Sequence, residues 1–382
     1  MDSAKTPEIG FDIPAAIGMR VEEIQTPALI IDLDAFERNV ARMKQFSETM
    51  GVSLRAHAKT HKSADIALYQ MAEGGAVGIC CQKVSEAEAL IRGGLTDVLI
   101  ANEVTDPKKI DRLARLAKFA RISVCVDDAS VVAALSAAAV RHGVRLDILV
   151  EIDCGARRCG TAPGVPAAEL GRIVSAAENL ELAGIQAYHG GAQHIYDPAK
   201  RRVEIDRVVA LVRDTVDHFE QAGLQCRSVT GAGTGTYNLE AMSGLYTEIQ
   251  PGSYIFMDAD YARVGATDGN GTIGGFEHAL FVLTSVMSKP ASGRAVCDAG
   301  LKTHSIDSGL PFVFDRDGVT YVDASDEHGN LDDPDDVLAL NDRLRLVPGH
   351  CDPTCNLHDC FVGVRDGVVE TLWPVTARGK VY

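Results

Sequence analysis

Leu182-Ala183-Gly184-Ile185-Gln186-Ala187-Tyr188 is a short apolar run that leads through His189–His194 into a long amphipathic segment. In that segment, Arg201–Ala222, Ile205, Val208, Val212, Val216 and Phe219 recur at helical spacing, and Cys226–Thr230 follows as the next short run. Apolar residues three and four apart mark one face of a helix, whereas a brief run bounded by turn residues reads as a buried strand. Strand, helix and strand in this order imply a parallel sheet with helices outside it.

Working outward, the alternation extends from about residue 28 to residue 260. Ala28–Ile31, Ser53–His57, Ala76–Cys80, Val98–Ala101, Ile122–Val126, Leu146–Ile152 and Thr247–Gln250 are further short runs. Ala35–Met50 places Phe36, Val40, Met43, Phe46 and Met50 on one helical face. A closed (β/α)8 barrel needs eight strands, one fewer than the candidates. Ala28–Ile31 follows Thr26-Pro27 and precedes a helix opened by Asp34, so it is assigned to a neighbouring sheet and the barrel is counted from Ser53 to Gln250.

Beyond residue 260 the long helical patterns vanish. Short β-like runs replace them at His278–Val286, Arg294–Asp298, Gly318–Val322, Arg343–Val347, Phe361–Arg365 and Val368–Trp373, separated by turns such as Arg365-Asp366-Gly367. The expected organisation is an α/β barrel domain over residues 32–260. An antiparallel β domain is expected from residues 1–31 and 261–382.

The 382 residues are 46% hydrophobic and 24% charged, an ordinary globular balance rather than a disordered one. The formal net charge of −16 argues against broad binding to nucleic acid or anionic membranes. No apolar stretch approaches the roughly 18 residues that span a bilayer. Met1–Arg20 lacks a basic region followed by an apolar core, so no secretory signal is read there. The ten cysteines are then expected as reduced thiols or ligands in the cytoplasm.

Barrel enzymes work where the strands end and the βα loops converge. Lys59 follows the first barrel strand, within His57-Ala58-Lys59-Thr60-His61-Lys62. A lysine crowded by cations there would have a lowered pKa and attack carbonyls; the alternative is a solvated basic loop. Gly231–Thr236 and Gly252-Ser253 follow the last two strands. Glycine-rich turns at those positions suit a phosphate, although a tight turn needing left-handed backbone would use the same residues. Phosphate and a carbonyl-reactive lysine on one rim suggest pyridoxal phosphate, with Arg158 at its phenolic oxygen and Tyr188 against its ring.

A second cluster lies at His350-Cys351-Asp352-Pro353-Thr354-Cys355-Asn356-Leu357-His358-Asp359-Cys360. With Pro353 making a turn, His350 and Asp352 would be alternate residues of an extended strand and face one side. A catalytic His/Asp metal site, a thiolate-rich structural zinc site and no metal at all are the three readings of this cluster.

The chain resembles the fold-type III pyridoxal-phosphate enzymes of the D-threonine aldolase and D-serine dehydratase group, which pair an alanine-racemase-like barrel with a β domain. The matching phrases are Thr26-Pro27-Ala28-Leu29, Asp32-Leu33-Asp34, His57-Ala58-Lys59, Cys80–Glu88, Arg158-Cys159-Gly160, Gly231-Ala232-Gly233-Thr234, Asp298–Lys302 and His350–Thr354. Asp258-Ala259-Asp260-Tyr261, Asp307–Phe312 and Val347-Pro348-Gly349-His350 resemble the 3-hydroxyaspartate aldolases within that group.

The resemblance implies Lys59 as the Schiff-base lysine, and Gln82, Arg158 and Tyr188 as cofactor contacts. It implies Thr230, Gly231, Gly233, Thr234, Gly252 and Ser253 as phosphate neighbours. His350 and Asp352 would bind a divalent ion, Mg2+ or Mn2+ in preference to Zn2+, and His194 would be a base near the substrate hydroxyl. The dehydratase branch has cysteine two residues after the metal histidine; Asp352 in that place favours aldolase chemistry. His189 stands where the aldolase phrase has glutamine after the tyrosine, and would alter substrate fit.

The expected reaction is retro-aldol cleavage of a D-β-hydroxy-α-amino acid, 3-hydroxyaspartate giving glycine and glyoxylate. Arg157, Lys62 or Lys302 would meet the second carboxylate. The alternatives are a D-threonine aldolase, a dehydratase releasing ammonia from D-serine or 3-hydroxyaspartate, and a non-catalytic pyridoxal-phosphate-binding protein. A homodimer is implied by the resemblance alone.

Overall fold

The computed structural model describes residues 7–266, 271–314 and 316–382. Residues 1–6 of the N-terminal segment assigned to the β domain lie outside the described residues.

The chain opens with β1 (Ala28–Asp32) and α1 (Leu33–Met50). Asp32, not Asp34, opens that helix: its carboxylate accepts the Ala35 N–H at 3.0 Å, and Gly51 closes the helix in the left-handed region at φ 66°. An aspartate just before the first turn satisfies an otherwise orphaned donor. Seven strand–helix units follow: β2 (Ser53–His57) and α2 (Ala64–Ala72), β3 (Ala76–Cys81) and α3 (Val84–Arg92), β4 (Asp97–Glu103) and α4 (Pro107–Leu116), β5 (Arg121–Val126) and α5 (Ala129–His142), β6 (Leu146–Glu151) and α6 (Val165–Ala176), β7 (Leu180–Ala187) and α7 (Pro198–Gln221), and β8 (Ser228–Gly231) and α8 (Tyr237–Met242). Then β9 (Glu248–Ile249) pairs in parallel with β2, Ser53 opposite Glu248, and closes the barrel.

Asp106-Pro107 and Asp197-Pro198 begin α4 and α7 in the same way: the aspartate accepts two backbone N–H groups and proline occupies the first turn, where its missing donor costs nothing. Inside the barrel a polar layer sits under the site. Arg55 pairs with Asp97 at 2.6 Å and Glu248 at 2.9 Å, and Gln250 joins Thr230 and Gln186 at 2.8 Å each. Every buried charge there has a partner, which such burial requires.

The second domain is a nine-stranded sheet built around β1. Its later strands are β10 (Leu280–Ala291), β11 (Arg294–Cys297), β12 (Phe312–Val313), β13 (Thr320–Ala324), β14 (Gly329–Asp332) and β15 (Arg343–Val347); the helix α9 (Cys351–Cys355) follows, then β16 (Cys360–Arg365) and β17 (Val368–Pro374). The sheet is antiparallel except where β1 lies parallel to β16, a pairing the sequence reading did not foresee. It also lacked β12, two residues long, and β14, four residues of mixed polarity; both are too short to show periodicity. Phe36 on α1 meets Tyr69, Phe256 and Trp373, with ring centroids 5.3, 6.4 and 5.7 Å away, and Phe256 meets Phe361 at 5.7 Å. This aromatic seam joins barrel to sheet through buried area and ring-edge contacts. No helix among the described residues is long and apolar enough to cross a membrane.

Candidate active site between the barrel mouth and the β domain

β2 ends at His57, and the chain then turns sharply, with Lys62 in the left-handed region at φ 54°. The turn directs the Lys59 amine across the gap to the Asp352 carboxylate, with which it pairs. Burial disfavours the ammonium, but Asp352 and then Tyr188 outweigh it, and the amine's pKa lies above its ordinary value. The depressed pKa expected from neighbouring cations is therefore not what this arrangement produces. Lys62 turns instead to the buried Glu86 at 3.5 Å, while burial lowers the His61 pKa to about 3 and keeps its ring neutral. Gln82, at the end of β3, lies with its side-chain nitrogen 2.8 Å from His57 Nε2.

Tyr188 leaves the end of β7 half-buried, and the Arg158 guanidinium stands 5.5 Å from its ring centroid. Arg158 also lies 3.9 Å from Glu151. Burial, and then the neighbouring Glu103, push the Glu151 carboxyl up to about 8. His189 points the other way, as alternation along an extended chain requires. Its Nε2 meets Glu204 of α7 at 2.9 Å, so the ring braces the loop against a helix and does not line the mouth.

The late glycine turns come together beside Tyr188. Gly231 has φ 157°, and a Cβ there would lie 2.1 Å from the Ala187 carbonyl oxygen. A Cβ on Gly233 would lie 2.5 Å from Gln193 Oε1 and 3.3 Å from Tyr188 Cε2; one on Gly252 would lie 2.4 Å from Thr60 Oγ1. Close approach therefore demands glycine at these positions. Among the described residues, the N–H groups of Gly233, Thr234, Gly252 and Ser253 meet no backbone or side-chain acceptor. Convergent free donors on two adjacent turns fit an oxyanion such as phosphate. Thr230 is the exception in the expected set. Its hydroxyl donates to Glu248 at 2.8 Å inside the barrel and does not face the turns. The Thr234 hydroxyl accepts the Tyr254 N–H at 3.1 Å, tying the two turns together.

On the opposite wall, His350 and Asp352 do not lie on an extended strand. His350 is the extended residue before α9, and Asp352 is in that helix's first turn, where Pro353 can be accommodated without losing a hydrogen bond. The helix still brings them together, His350 Nε2 lying 3.9 Å from Asp352 Oδ2. Burial alone would raise the Asp352 carboxyl, but Lys59 and then His350 hold it well below the usual range. His350 Nδ1 meets Asp307 at 2.8 Å. A carboxylate on one imidazole nitrogen orients the other, as in many histidine metal sites.

The cysteines around this helix do not complete a cage. Among the described residues no three His, Cys, Asp or Glu side chains converge on one point, and His358 turns to the Thr303 carbonyl at 2.7 Å. An oriented imidazole and an ionised carboxylate fit a hard divalent ion that keeps several waters, better than they fit thiolate-bound zinc.

Three aspartates that the sequence reading did not single out hold these pieces. Asp258 is buried and accepts the N–H of both Tyr261 and Cys351 at 2.9 Å, joining the barrel's exit to α9. Asp260 meets His194 Nδ1 at 2.5 Å and the Tyr196 hydroxyl at 2.7 Å. Asp307 orients His350. All three stood only within phrases of resemblance, because an aspartate whose partners lie far away in sequence has no motif of its own.

The family profile described as "Alanine racemase, N-terminal domain" matches residues 31–260, and that described as "Putative serine dehydratase domain" matches residues 279–364. The chain is 55% identical to a 3-hydroxy-D-aspartate aldolase of Paracoccus denitrificans (strain Pd 1222), over 98% of this chain and 97% of that one. It is 44% identical to a D-threonine aldolase of Arthrobacter sp., over 97% of each. The crystal structure of D-threonine aldolase from Filomicrobium marinum superposes with a TM-score of 0.94 at 48% identity, covering 97% of this chain and 100% of that one. With its barrel, its β domain and its full-length similarity in agreement, the chain belongs to the fold-type III pyridoxal-phosphate family that includes the 3-hydroxy-D-aspartate and D-threonine aldolases.

Proposed function

We propose that this protein is a carbon–carbon lyase that cleaves D-3-hydroxyaspartate to glycine and glyoxylate, using pyridoxal phosphate and a divalent metal ion. The observation that carries the reading is the meeting of Lys59 from the barrel with Asp352 from the β domain, beside an oriented His350. A carbonyl-reactive amine and a pair of metal-ligand side chains then address one small substrate from opposite walls.

Lys59 would hold the cofactor's aldehyde carbon. The free N–H groups of Gly233, Thr234, Gly252 and Ser253 would take its phosphate, with Gly231 allowing the turn and Thr230 supporting it from below. Gln82, Arg158 and Tyr188 would border its ring. When bound, the cofactor supplies an electron sink for the carbon left behind when Cα–Cβ breaks. His350 and Asp352 would hold Mg2+ or Mn2+, which lowers the pKa of the substrate's β-hydroxyl.

His194 is placed to receive the hydroxyl proton. Its ring is half exposed, and Asp260 on Nδ1 leaves Nε2 as the free nitrogen and stabilises the charge the ring gains. The β-carbon departs as the aldehyde of glyoxylate, and a proton returned to Cα completes glycine. Lys59 stands on the rim from which such a proton can be delivered.

Asp352 in place of the dehydratase cysteine favours bond cleavage over loss of hydroxide. D-threonine, giving glycine and acetaldehyde, is the second substrate reading, and the relatives at 44% and 48% identity support it. The active form is taken to be a cytoplasmic homodimer; the ten unpaired thiols favour a reducing compartment. Incubation with D-3-hydroxyaspartate and D-threonine, with and without chelator, tests the assignment. Glycine and the matching aldehyde, lost on chelation, are expected; ammonia without glycine overturns it.

A further inference from the structure

We infer that Arg263 receives the distal carboxylate of the substrate, the group that distinguishes 3-hydroxyaspartate from D-threonine. The inference rests on the aldolase reading and adds the residue that sets its substrate class.

A substrate with two carboxylates entering a protein of net charge −16 needs a local cation for the second of them. The cations expected from the sequence are engaged elsewhere or face outward. Lys62 is paired with buried Glu86, and Lys302 with Glu327 at 2.6 Å. Arg157 is exposed in the left-handed residue of a loop held by Asp153. Arg158 faces Tyr188 and Glu151.

Covalent structure narrows the position. The distal carboxylate is bonded to the same carbon as the hydroxyl. Its partner must therefore lie close to both the group that takes the hydroxyl proton and the side chains that would hold the metal. Arg263 is one residue removed from each, behind Asp260 on the Nδ1 side of His194 and behind Ser308 on the Nδ1 side of His350. It shares Asp260 with His194, and its Nη2 reaches the Ser308 carbonyl oxygen at 3.2 Å, while the Ser308 hydroxyl lies 3.5 Å from His350 Nδ1. The guanidinium stacks 4.8 Å from the Tyr196 ring centroid, yet the side chain is 53% exposed. It is thus held in orientation while remaining open to a ligand. Its bonds to Asp260 and to the Ser308 carbonyl both use Nη2; among the described residues Nε and Nη1 meet no acceptor, so part of the fork stays open. A planar fork that binds carboxylate through two parallel N–H groups gives geometric selectivity that an ammonium lacks.

The test compares Arg263→Gln and Arg263→Lys with wild-type holoenzyme on both substrates. The ratio of kcat/KM for D-3-hydroxyaspartate over D-threonine is expected to fall by about tenfold or more in Arg263→Gln, mainly through KM, with partial recovery in Arg263→Lys. A parallel fall on both substrates overturns the inference and assigns Arg263 to positioning Asp260 and His194. A second readout needs no turnover. D-aspartate and D-alanine differ by a carboxylate, and each is expected to perturb the absorbance of the bound cofactor on titration. Wild type should prefer D-aspartate and Arg263→Gln should lose that preference; an unchanged ratio refutes the role of Arg263, even if glycine release shows the aldolase reading itself to be wrong.

Discussion

Lys59 reaches the site from the end of a barrel strand, whereas Asp352 reaches it from a five-residue helix in the β domain. The barrel side is positioned by repetition: parallel strands, each followed by a helix, bring every C-terminal loop to one rim. The β-domain side is positioned by single side chains, Asp258 under α9 and Asp307 behind His350. The first kind of support is spread over a whole core and tolerates local change. The second depends on one or two buried hydrogen bonds, so it should be the easier side to disable without unfolding the barrel.

The largest effect is expected on the barrel side, at the chemistry itself. Lys59→Ala should lower glycine formation by about 10³-fold or more and abolish the visible absorbance of attached cofactor, with far-UV circular dichroism unchanged. Retained absorbance would remove this lysine from the scheme. Asp258→Ala should come next, because two buried N–H groups lose their acceptor, at about 1–3 kcal/mol each. Urea denaturation monitored by fluorescence measures that loss. An effect no larger than that of a surface substitution would show that the two domains are not tied through this residue.

Asp307→Asn probes the same wall more gently. The apparent metal affinity, from activity restored by Mn2+ after chelation, should weaken about 10- to 100-fold. Equal sensitivity of Arg158→Lys to the metal would blur the distinction between the walls.

On the barrel side, Glu151 carries a pH signature. Its folded pKa of about 8 exceeds the ordinary 4.5, so between these values only the unfolded chain is ionised. Unfolding then releases a proton, and stability falls as pH rises through that window, by at most about 1.4 kcal/mol per pH unit. Glu151→Gln should flatten this decline, as read from urea midpoints between pH 5 and pH 8. The smallest effect belongs to the surface fork of Arg365 on β16, which meets Asp34 and Glu37 of α1 and Glu370 of β17 in partly exposed pairs. Arg365→Ala should cost about 1 kcal/mol or less.

The barrel was legible because its signal is periodic. The runs at Ser53–His57 and Ile122–Val126, and helical faces such as Phe36, Val40 and Met43, bury themselves as their spacing requires. The rim residues Lys59, Arg158 and Tyr188 were legible because each follows a strand of that pattern. The local geometry around His350 was misread as extended, since a one-turn helix with proline in its first turn carries no periodicity. Thr230 and His189 show a related limit. A side chain one position along a strand end faces the opposite way, and the register that decides this belongs to the folded sheet.

By itself, the sequence determined the alternating barrel, the change of texture after residue 260, and the residue types able to do the chemistry. Those properties are local, written in spacing and composition. Only the tertiary structure decided that Asp352 faces Lys59 across 293 positions of chain, that Asp260 links His194 to Arg263, and that Asp258 clamps the two domains. Such contacts join residues that are distant in sequence, and their geometry exists only after the barrel has closed and the sheet has docked on α1 through its aromatic seam.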